Sequence, residues 1–371
     1  MRAIYLDNKI KGAIKQLINY FKEGVFDRSN TKVVFKCYKE SYLFYKKELE
    51  KNNISYQCFF SINKLDMSPY KVVFYLFNAQ SNCRILTFRN AKHIFVTHGE
   101  SNKLASIKPI IRIYDYIVCA GDIGVDRYLE NNIFTKYDVQ THRIIKMGNT
   151  FIGDNIYKKT SINQDSYILY APTWEGGVIS EQYSSLSEDL HAFKTICNFA
   201  KENDIKNIVI QPHPNTGHRD KRYKKYLKDG VRFLKKNYLN VDLISTNSNN
   251  SLMRRLFLQK HKDTYPIYRA FVDVSAMEIQ LLDKDIPTNI FINDTKNAMV
   301  KNNILQNYYN TICIKNGSLE CKTFLDISEV KNLYLSYSFL GLKDKIKGQR
   351  VDWLVDFVIK DKGEKNARTA I

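Results

Sequence analysis

KVVFKCYKESYLFYKKELEKNNISYQCFF, residues 32–60, places a helical pattern between two short apolar runs. The runs 32–38 and 54–60 are rich in β-branched and aromatic residues, which is typical of strands. Residues 39–53 repeat apolar positions at helical spacing and end at Asn-Asn. A strand, a helix and a second strand form a βαβ unit, so the stretch predicts a parallel sheet covered by helices.

The same alternation continues to about residue 150. Further strands are predicted at 71–77, 92–98 and 114–121, a helix at 122–132, and a last short strand within 143–154. The segment 143–154 ends in a joint rich in Gly and Asn, and we place the boundary there. The first predicted domain is therefore 1–150.

The alternation restarts after this joint and predicts a second domain over 151–325, followed by closing helices over 326–371. Its predicted strands and helices lie at 166–174, 186–204, 206–214, 220–236, 241–245, within 268–291, and at 310–314. Ser187 is the expected N-cap of the helix at 186–204. Two consecutive doubly wound, Rossmann-like α/β domains facing a cleft are the architecture of GT-B transferases. Ligands are then expected beyond the carboxyl ends of the strands.

The charge and cysteine content of the chain indicate what kind of partner and compartment to expect. The 57 Lys+Arg outweigh the 38 Asp+Glu, giving a net charge of +19. This excess favours an anionic partner, although a Lys- and Tyr-rich composition also fits the base composition of a source genome. The seven cysteines form no CxxC pair, which indicates free thiols in a reducing compartment. With no signal peptide recognised at the start and no 18-residue apolar stretch, we expect a cytoplasmic protein.

Polar residues follow the predicted strands at four places. In THGE (97–100), His98 has the near-neutral pKa of a general base, Glu100 could orient it or be the base, and Gly99 would let a substrate approach the backbone. In YAPTWEGG (170–177), Thr173 offers a hydroxyl, Trp174 a stacking plane, and Gly176 with Gly177 a turn able to cradle phosphate. The alternative for the first segment is a solvated loop in which His98 caps the next helix. The alternative for the second is an ordinary turn with Trp174 in the core.

The other two places lie later in the chain. In QPHP (211–214), two prolines present His213 rigidly, and a cationic rim of His218, Arg219, Lys221 and Arg222 follows. In VDVSAME (272–278), Asp273, Ser275 and Ala276 stand at a predicted helix start that would bind phosphate, and Glu278 could take ribose hydroxyls. The alternatives are a rigid loop followed by a solvated basic helix for the first segment, and an ordinary N-cap for the second.

Taken together, THG, YAPTW, QPHP and VDVSAME resemble the motifs of the CDP-glycerol glycerophosphotransferase family, the teichoic-acid and capsule polymerases with a GT-B fold. The resemblance covers roughly residues 91 to 290. It implies a CDP-linked alditol-phosphate donor and a hydroxyl acceptor on a lipid-linked glycan at the inner face of the cell membrane. It also implies that His98 is the catalytic histidine, that His213 (followed by Pro214) contacts the donor phosphates, and that Ser275 with Asp273 binds phosphate. Thr173 and Trp174 match the turn that faces the donor.

This chain departs from the family pattern at several positions. Glu175 stands where the family often has Arg, Gln211 replaces the Arg before the PHP motif, and Ala276 replaces a Ser. These changes remove cationic and hydroxyl contacts expected for a pyrophosphate. GT-B sialyl- and Kdo-transferases, which use CMP-sugars, therefore remain an alternative.

The predicted reaction is displacement at phosphorus without a metal or other cofactor. An acceptor hydroxyl, deprotonated by His98 or Glu100, attacks the β-phosphorus of the CDP-alditol, and CMP leaves. A basic nucleic-acid-binding protein is an alternative of another class, but the basic residues are spread along the chain without an RRM, KH or helix-turn-helix signature. A non-catalytic GT-B scaffold that binds nucleotide without turnover is a third.

One segment bears on membrane association. KIKGAIKQLINYFKEG (9–24) brings apolar residues to one helical face, with lysines around it. Such a helix could lie on an anionic leaflet, or it could cover the core of the first domain. Its apolar residues are Ile10, Ile14, Leu17, Ile18 and Phe21.

Overall fold

The structure is a computed structural model, and it describes residues 1–9, 11–97, 99–244, 262–292, 309–313, 318–320 and 327–360. His98 and Ile10 therefore lie outside the described residues. The chain divides into two compact units. Unit 1 comprises Met1–Glu100, Ile107–Asp154 and Leu333–Ile371, and unit 2 comprises Ser101–Ser106 and Asn155–Asn332.

The strands alternate with helices along most of the chain. The strands are β1 Arg2–Leu6, β2 Thr31–Lys36, β3 Tyr56–Phe59, β4 Val72–Tyr75, β5 Lys92–Phe95, β6 Tyr116–Cys119, β7 Ile144–Lys146, β8 Tyr157–Lys159, β9 Tyr167–Ala171, β10 Asn207–Ile210, β11 Asn240–Leu243, β12 Tyr265–Asp273, β13 Thr288–Ile292, β14 Tyr309–Cys313 and β15 Ser318–Glu320. The α-helices of the described residues are α1 Gly12–Lys22, α2 Tyr42–Lys51, α3 Asp122–Glu130, α4 Lys136–Gln140, α5 His191–Glu202, α6 Arg222–Lys236, α7 Ala276–Asp283, α8 Ile327–Tyr334 and α9 Lys347–Lys360.

Unit 1 is built on a parallel sheet of order β3-β2-β1-β4-β5-β6-β7. Alternate residues of its strands belong to two different cores. On β1, Ile4 and Leu6 pack with apolar residues of α1, α2 and α9, while Ala3 and Tyr5 belong to the core on the other face. A sheet buried on both faces needs strands that are apolar throughout, which is why these strands are recognisable as short apolar runs.

Unit 2 is built on a second sheet, of order β11-β10-β9-β12-β13-β14-β15, with β8 beside the start of β12. Its strands are parallel except for the antiparallel pair β14 and β15. The strand order reverses between β9 and β12. In open α/β sheets, ligands bind at such a reversal, outside the carboxyl ends of the strands.

The predicted fold class, two consecutive doubly wound α/β domains, is confirmed. The βαβ unit of residues 32–60 is β2-α2-β3, with β2 and β3 paired in parallel. The units divide after Asp154, and α9, the last helix of the described residues, belongs to unit 1. The segment Ser101–Ser106 belongs to unit 2 although the chain on both sides of it belongs to unit 1.

The structure corrects one local prediction and decides between two alternatives that the sequence left open. Helix α5 begins at His191 after Leu190, which has a left-handed φ of 55°, so Ser187 is not its N-cap. Within the segment 9–24, residues Gly12–Lys22 form α1, and Ile14, Leu17, Ile18 and Phe21 are buried in the core of unit 1. The described apolar face of α1 therefore covers the sheet and is not available to a membrane.

Candidate functional site

Three of the four predicted polar segments meet at one edge of unit 2. They follow β9, β10 and β12, which are adjacent in the sheet, and so their carboxyl ends lie side by side. The segments are residues 172–177, 211–220 and 273–278. The edge they share contains the reversal of strand order between β9 and β12.

Asp273 joins the two sides of this reversal. Its side chain is fully buried, and Oδ2 accepts hydrogen bonds from the backbone N–H of Thr173 at 2.7 Å and of Ser185 at 3.1 Å. The other oxygen, Oδ1, is buried and has no hydrogen-bond partner. Burial raises the pKa of Asp273 to about 7. The hydrogen bonds and the positive charge of Lys103 favour the ionised form and partly oppose this effect. Asp273 thus holds the turn after β9 and keeps one acceptor oxygen unused.

His213 stands next to this turn in a fixed orientation. Its ring stacks on Trp174, with centroids 5.8 Å apart and planes at 15°. Nδ1 accepts a hydrogen bond from the backbone N–H of Asn215 at 3.1 Å, which places the proton of the neutral ring on Nε2. Burial and nearby Lys103 lower the pKa of His213 to about 4, although Glu175 opposes them. At neutral pH, His213 is therefore an uncharged donor through Nε2–H.

Glu175 fixes the loop that carries His213. It is fully buried, and its carboxylate accepts hydrogen bonds from the backbone N–H of Gly217 at 2.9 Å, of Arg219 at 2.8 Å and of Asp220 at 3.0 Å. Burial would raise the pKa of Glu175, but these backbone hydrogen bonds outweigh it and the pKa lies below its ordinary value. Glu175, which stands where the family often has Arg, therefore stabilises the conformation of the loop.

Two of the four cations of the predicted rim form hydrogen bonds or an ion pair within the loop region. Arg219 donates from Nε to the carbonyl of Gly176 at 2.9 Å and from Nη2 to that of Glu175 at 2.6 Å. Arg222 forms an ion pair with Asp220 at 2.7 Å. The other two members of the rim, His218 and Lys221, are exposed, and so is Pro214 of the same loop.

The segment after β12 provides a helix start with an unused hydroxyl. Helix α7 begins at Ala276, preceded by Ser275 in an extended conformation without a side-chain capping bond. Ser275 is only 9% exposed, and its Oγ is buried without a hydrogen-bond partner. Glu278, in the first turn, is fully buried. A buried hydroxyl without a partner beside a helix N-terminus is the environment that an anionic ligand would complete.

Sequence reasoning missed Lys103, although it is part of the loop that follows THGE. Lys103 donates from Nζ to Thr173 Oγ1 at 2.9 Å, and its ammonium lies 5.5 Å from the ring centroid of Tyr183. Tyr183 in turn accepts a hydrogen bond from the backbone N–H of Leu104 at 2.9 Å. Burial lowers the pKa of Lys103 to about 8, although the carboxylates of Asp273 and Glu181 oppose it. A partly buried ammonium therefore lies within this site.

The remaining predicted residues belong to unit 1. The carboxylate of Glu100 is buried, accepts a hydrogen bond from the backbone N–H of Ala120, and forms an ion pair with buried Arg127 at 3.2 Å. Gly99, with φ of 144°, closes a turn in which its carbonyl accepts a hydrogen bond from Thr97 Oγ1 at 3.1 Å. The geometry of Glu100 favours a structural role over that of a base. His98 lies outside the described residues.

Within the described residues, no group of three or more His, Cys, Asp or Glu side chains could hold a metal ion. In the same residues, no helix is long and apolar enough to cross a membrane.

Comparisons with known proteins find distant structural similarities. No family model and no curated protein matches the chain. Among solved structures, Anabaena Alr3699/HepE in complex with UDP and glucose is 8% identical, with 100% of this chain and 99% of that chain covered and a TM-score of 0.46. The wall teichoic acid polymerase TagF is 13% identical, with 98% and 89% covered and a TM-score of 0.43. A putative UDP-N-acetylglucosamine 2-epimerase from Listeria monocytogenes is 12% identical, with 80% of each chain covered and a TM-score of 0.47. Similarities this distant assign neither a donor nor an acceptor to the chain.

Proposed function

We propose that the protein is a transferase that moves an alditol-phosphate unit from a CDP-linked donor to a hydroxyl of a cell-surface glycan or of a teichoic-acid or capsule precursor. The observation that carries this proposal is the grouping of unused polar atoms at the strand reversal of unit 2. Ser275 Oγ is buried without a partner, and the neutral ring of His213 carries its proton on Nε2. Lys103 adds an ammonium to the same site. Such donors suit the oxygens of a phosphoanhydride.

Each of these residues has a proposed role. Lys103 and His213 stabilise the charge on the diphosphate, and Ser275 with the amides of α7 binds a phosphate oxygen. Asp273, Thr173 and Glu175 are positioning residues, because their hydrogen bonds hold the turn and the loop that carry the donors. Trp174 supports the His213 ring from one face.

The reaction follows from the bonds that change. The acceptor oxygen forms a bond to the β-phosphorus, the bond from that phosphorus to the CMP oxygen breaks, and CMP leaves with the negative charge. The proton of the acceptor hydroxyl goes to a base. We assign that base to His98, because the carboxylate of Glu100 is already held by Arg127 and Ala120. The acceptor is proposed to be lipid-linked, which would place the protein on the cytoplasmic face of the membrane.

A thermal-shift panel of CDP, CMP, UDP and GDP tests the donor class. We expect CDP to stabilise the protein most, because it supplies both the cytidine and the diphosphate for which the site is proposed. Stabilisation by CMP but not by CDP would favour the CMP-sugar alternative instead. Equal stabilisation by CDP, UDP and GDP would contradict a cytidine-linked donor, and no stabilisation by any nucleotide would contradict the donor site itself.

A further inference from the structure

Helix α6 carries an excess of positive charge on its outer face. RYKKYLKDGVRFLKK, residues 222–236, holds seven basic residues and one acidic residue. Tyr223, Val231 and Leu234 are buried, so this side of the helix faces the core of unit 2. Exposed cations recur at intervals of three or four residues, which places them along one line of the helix surface. They are Lys221, Lys225, Lys228, Arg232 and Lys236.

An apolar loop tip lies beside the start of this helix. Val178 is 53% exposed and Ile179 is 81% exposed, two adjacent branched aliphatic side chains in contact with solvent. Two hydrogen bonds, one on each side of the tip in the chain, hold it to the start of α6. On one side, Arg219 donates a hydrogen bond to the carbonyl of Gly176 at 2.9 Å, and on the other, Gln182 donates one to the hydroxyl of Tyr223.

We infer that Val178 and Ile179, together with the exposed cations of α6, form a docking surface for an anionic lipid bilayer. The cations and the aliphatic tip match two regions of such a membrane, its charged headgroups and its acyl chains. Ammonium and guanidinium groups are attracted to the anionic headgroups, and the aliphatic tip can enter the boundary with the acyl chains. A nucleic acid would use the cations but would gain nothing from two exposed aliphatic side chains.

This surface differs from the helix at 9–24, which the sequence suggested as one possible membrane-binding segment. The described apolar residues of α1, at the start of the chain, are buried in the core of unit 1. The exposed aliphatic pair of the tip belongs instead to unit 2, next to the loop of the proposed donor site. The inference concerns binding to lipid only and does not depend on which donor the site takes.

The test is co-sedimentation of the whole protein with phosphatidylglycerol vesicles and with phosphatidylcholine vesicles at low salt. We expect binding to the anionic vesicles only, with binding weakened by added salt. Replacing the tip (Val178→Ser with Ile179→Ser) should weaken partitioning on the order of tenfold. Neutralising Lys225→Gln with Lys228→Gln should weaken it roughly 10- to 30-fold, since each basic residue near an anionic surface contributes about a fivefold effect.

The matched control is Lys158→Gln with Lys159→Gln. It removes the same charge from two exposed lysines of β8. Strand β8 pairs with the amino-terminal part of β12, away from the carboxyl ends of the strands. The control should bind vesicles nearly as well as wild type. Equal losses in the control and in the α6 variant would show attraction by net charge alone and would overturn the inference. Absence of vesicle binding by the wild type would also overturn it. So would a tip variant that binds vesicles as well as the wild type does, if the wild type binds RNA more tightly than vesicles and the tip variant binds RNA equally well.

Discussion

Lys103 is the residue whose chemistry depends most on its surroundings. Its hydrogen bond to Thr173 and its position over Tyr183 fix the ammonium in unit 2, and burial lowers its pKa to about 8. Its charge is therefore present at pH 7 and is lost as the pH rises through about 8. If the ammonium binds the diphosphate, affinity for the donor must fall over the same range.

We expect the affinity of the wild-type protein for CDP to fall about tenfold between pH 7.5 and 9, because only the protonated fraction of Lys103 is competent to bind. The phosphates of CDP remain ionised over this range, and His213, with a pKa of about 4, stays neutral. Isothermal titration at several pH values measures the effect.

Lys103→Arg is the matched control, because arginine keeps its charge throughout. Asp273, with a pKa of about 7, and Glu181 face the cation in both proteins, so their contribution cancels in the comparison. Parallel pH profiles for the wild type and for Lys103→Arg would exclude Lys103 as the titrating ligand.

At the scale of elements, the strands were largely predictable and the connections less so. The apolar runs of β2, β4 and β9 are buried on both faces, and this burial requires the sequence pattern that predicts them. The strand β1 was missed, although its five residues RAIYL form a short apolar run like those at 241–245 and 310–314 that were predicted as strands. Ser187 resembled an N-cap, yet the helix begins only after Leu190, and nothing local to the sequence indicates that delay.

The turn after β9 gives a direct test of the structure at this scale. Gly176 has φ of +73°, and a Cβ added there would lie 2.4 Å from the backbone oxygen of Glu181. Its neighbour Gly177 would place a Cβ in open space. Gly176→Ala should therefore lower the free energy of unfolding on the order of 1–3 kcal/mol. Gly177→Ala should change it by no more than about 0.5 kcal/mol.

Urea unfolding of the two variants measures this difference. The pair share the same substitution at adjacent positions, so a general effect of alanine is controlled. Similar losses in both variants, or a larger loss for Gly177→Ala, would contradict the described geometry of the turn.

In the whole molecule, much of the candidate site was predictable because the topology is regular. Thr173, His213 and Ser275 each follow a strand, and parallel strands adjacent in a sheet bring such residues to one edge. Their detailed roles were not predictable, because they depend on packing between distant segments. Glu175 was noted as a lost cation but organises a loop, and Lys103 reaches the site because residues 101–106 pack with unit 2. The assignment of His98 as the base remains a prediction.

The measurement that tests the proposed donor site most directly is isothermal titration of CDP into the wild type, His213→Ala and His218→Ala. His213 is held against Trp174 with its proton on Nε2, whereas His218, in the same loop, is exposed. Loss of a hydrogen bond to a charged phosphate should weaken CDP binding by His213→Ala about 10- to 100-fold, and His218→Ala should stay within about twofold of the wild type. Unchanged affinity in a folded His213→Ala protein, or equal losses in the two variants, would contradict the donor site.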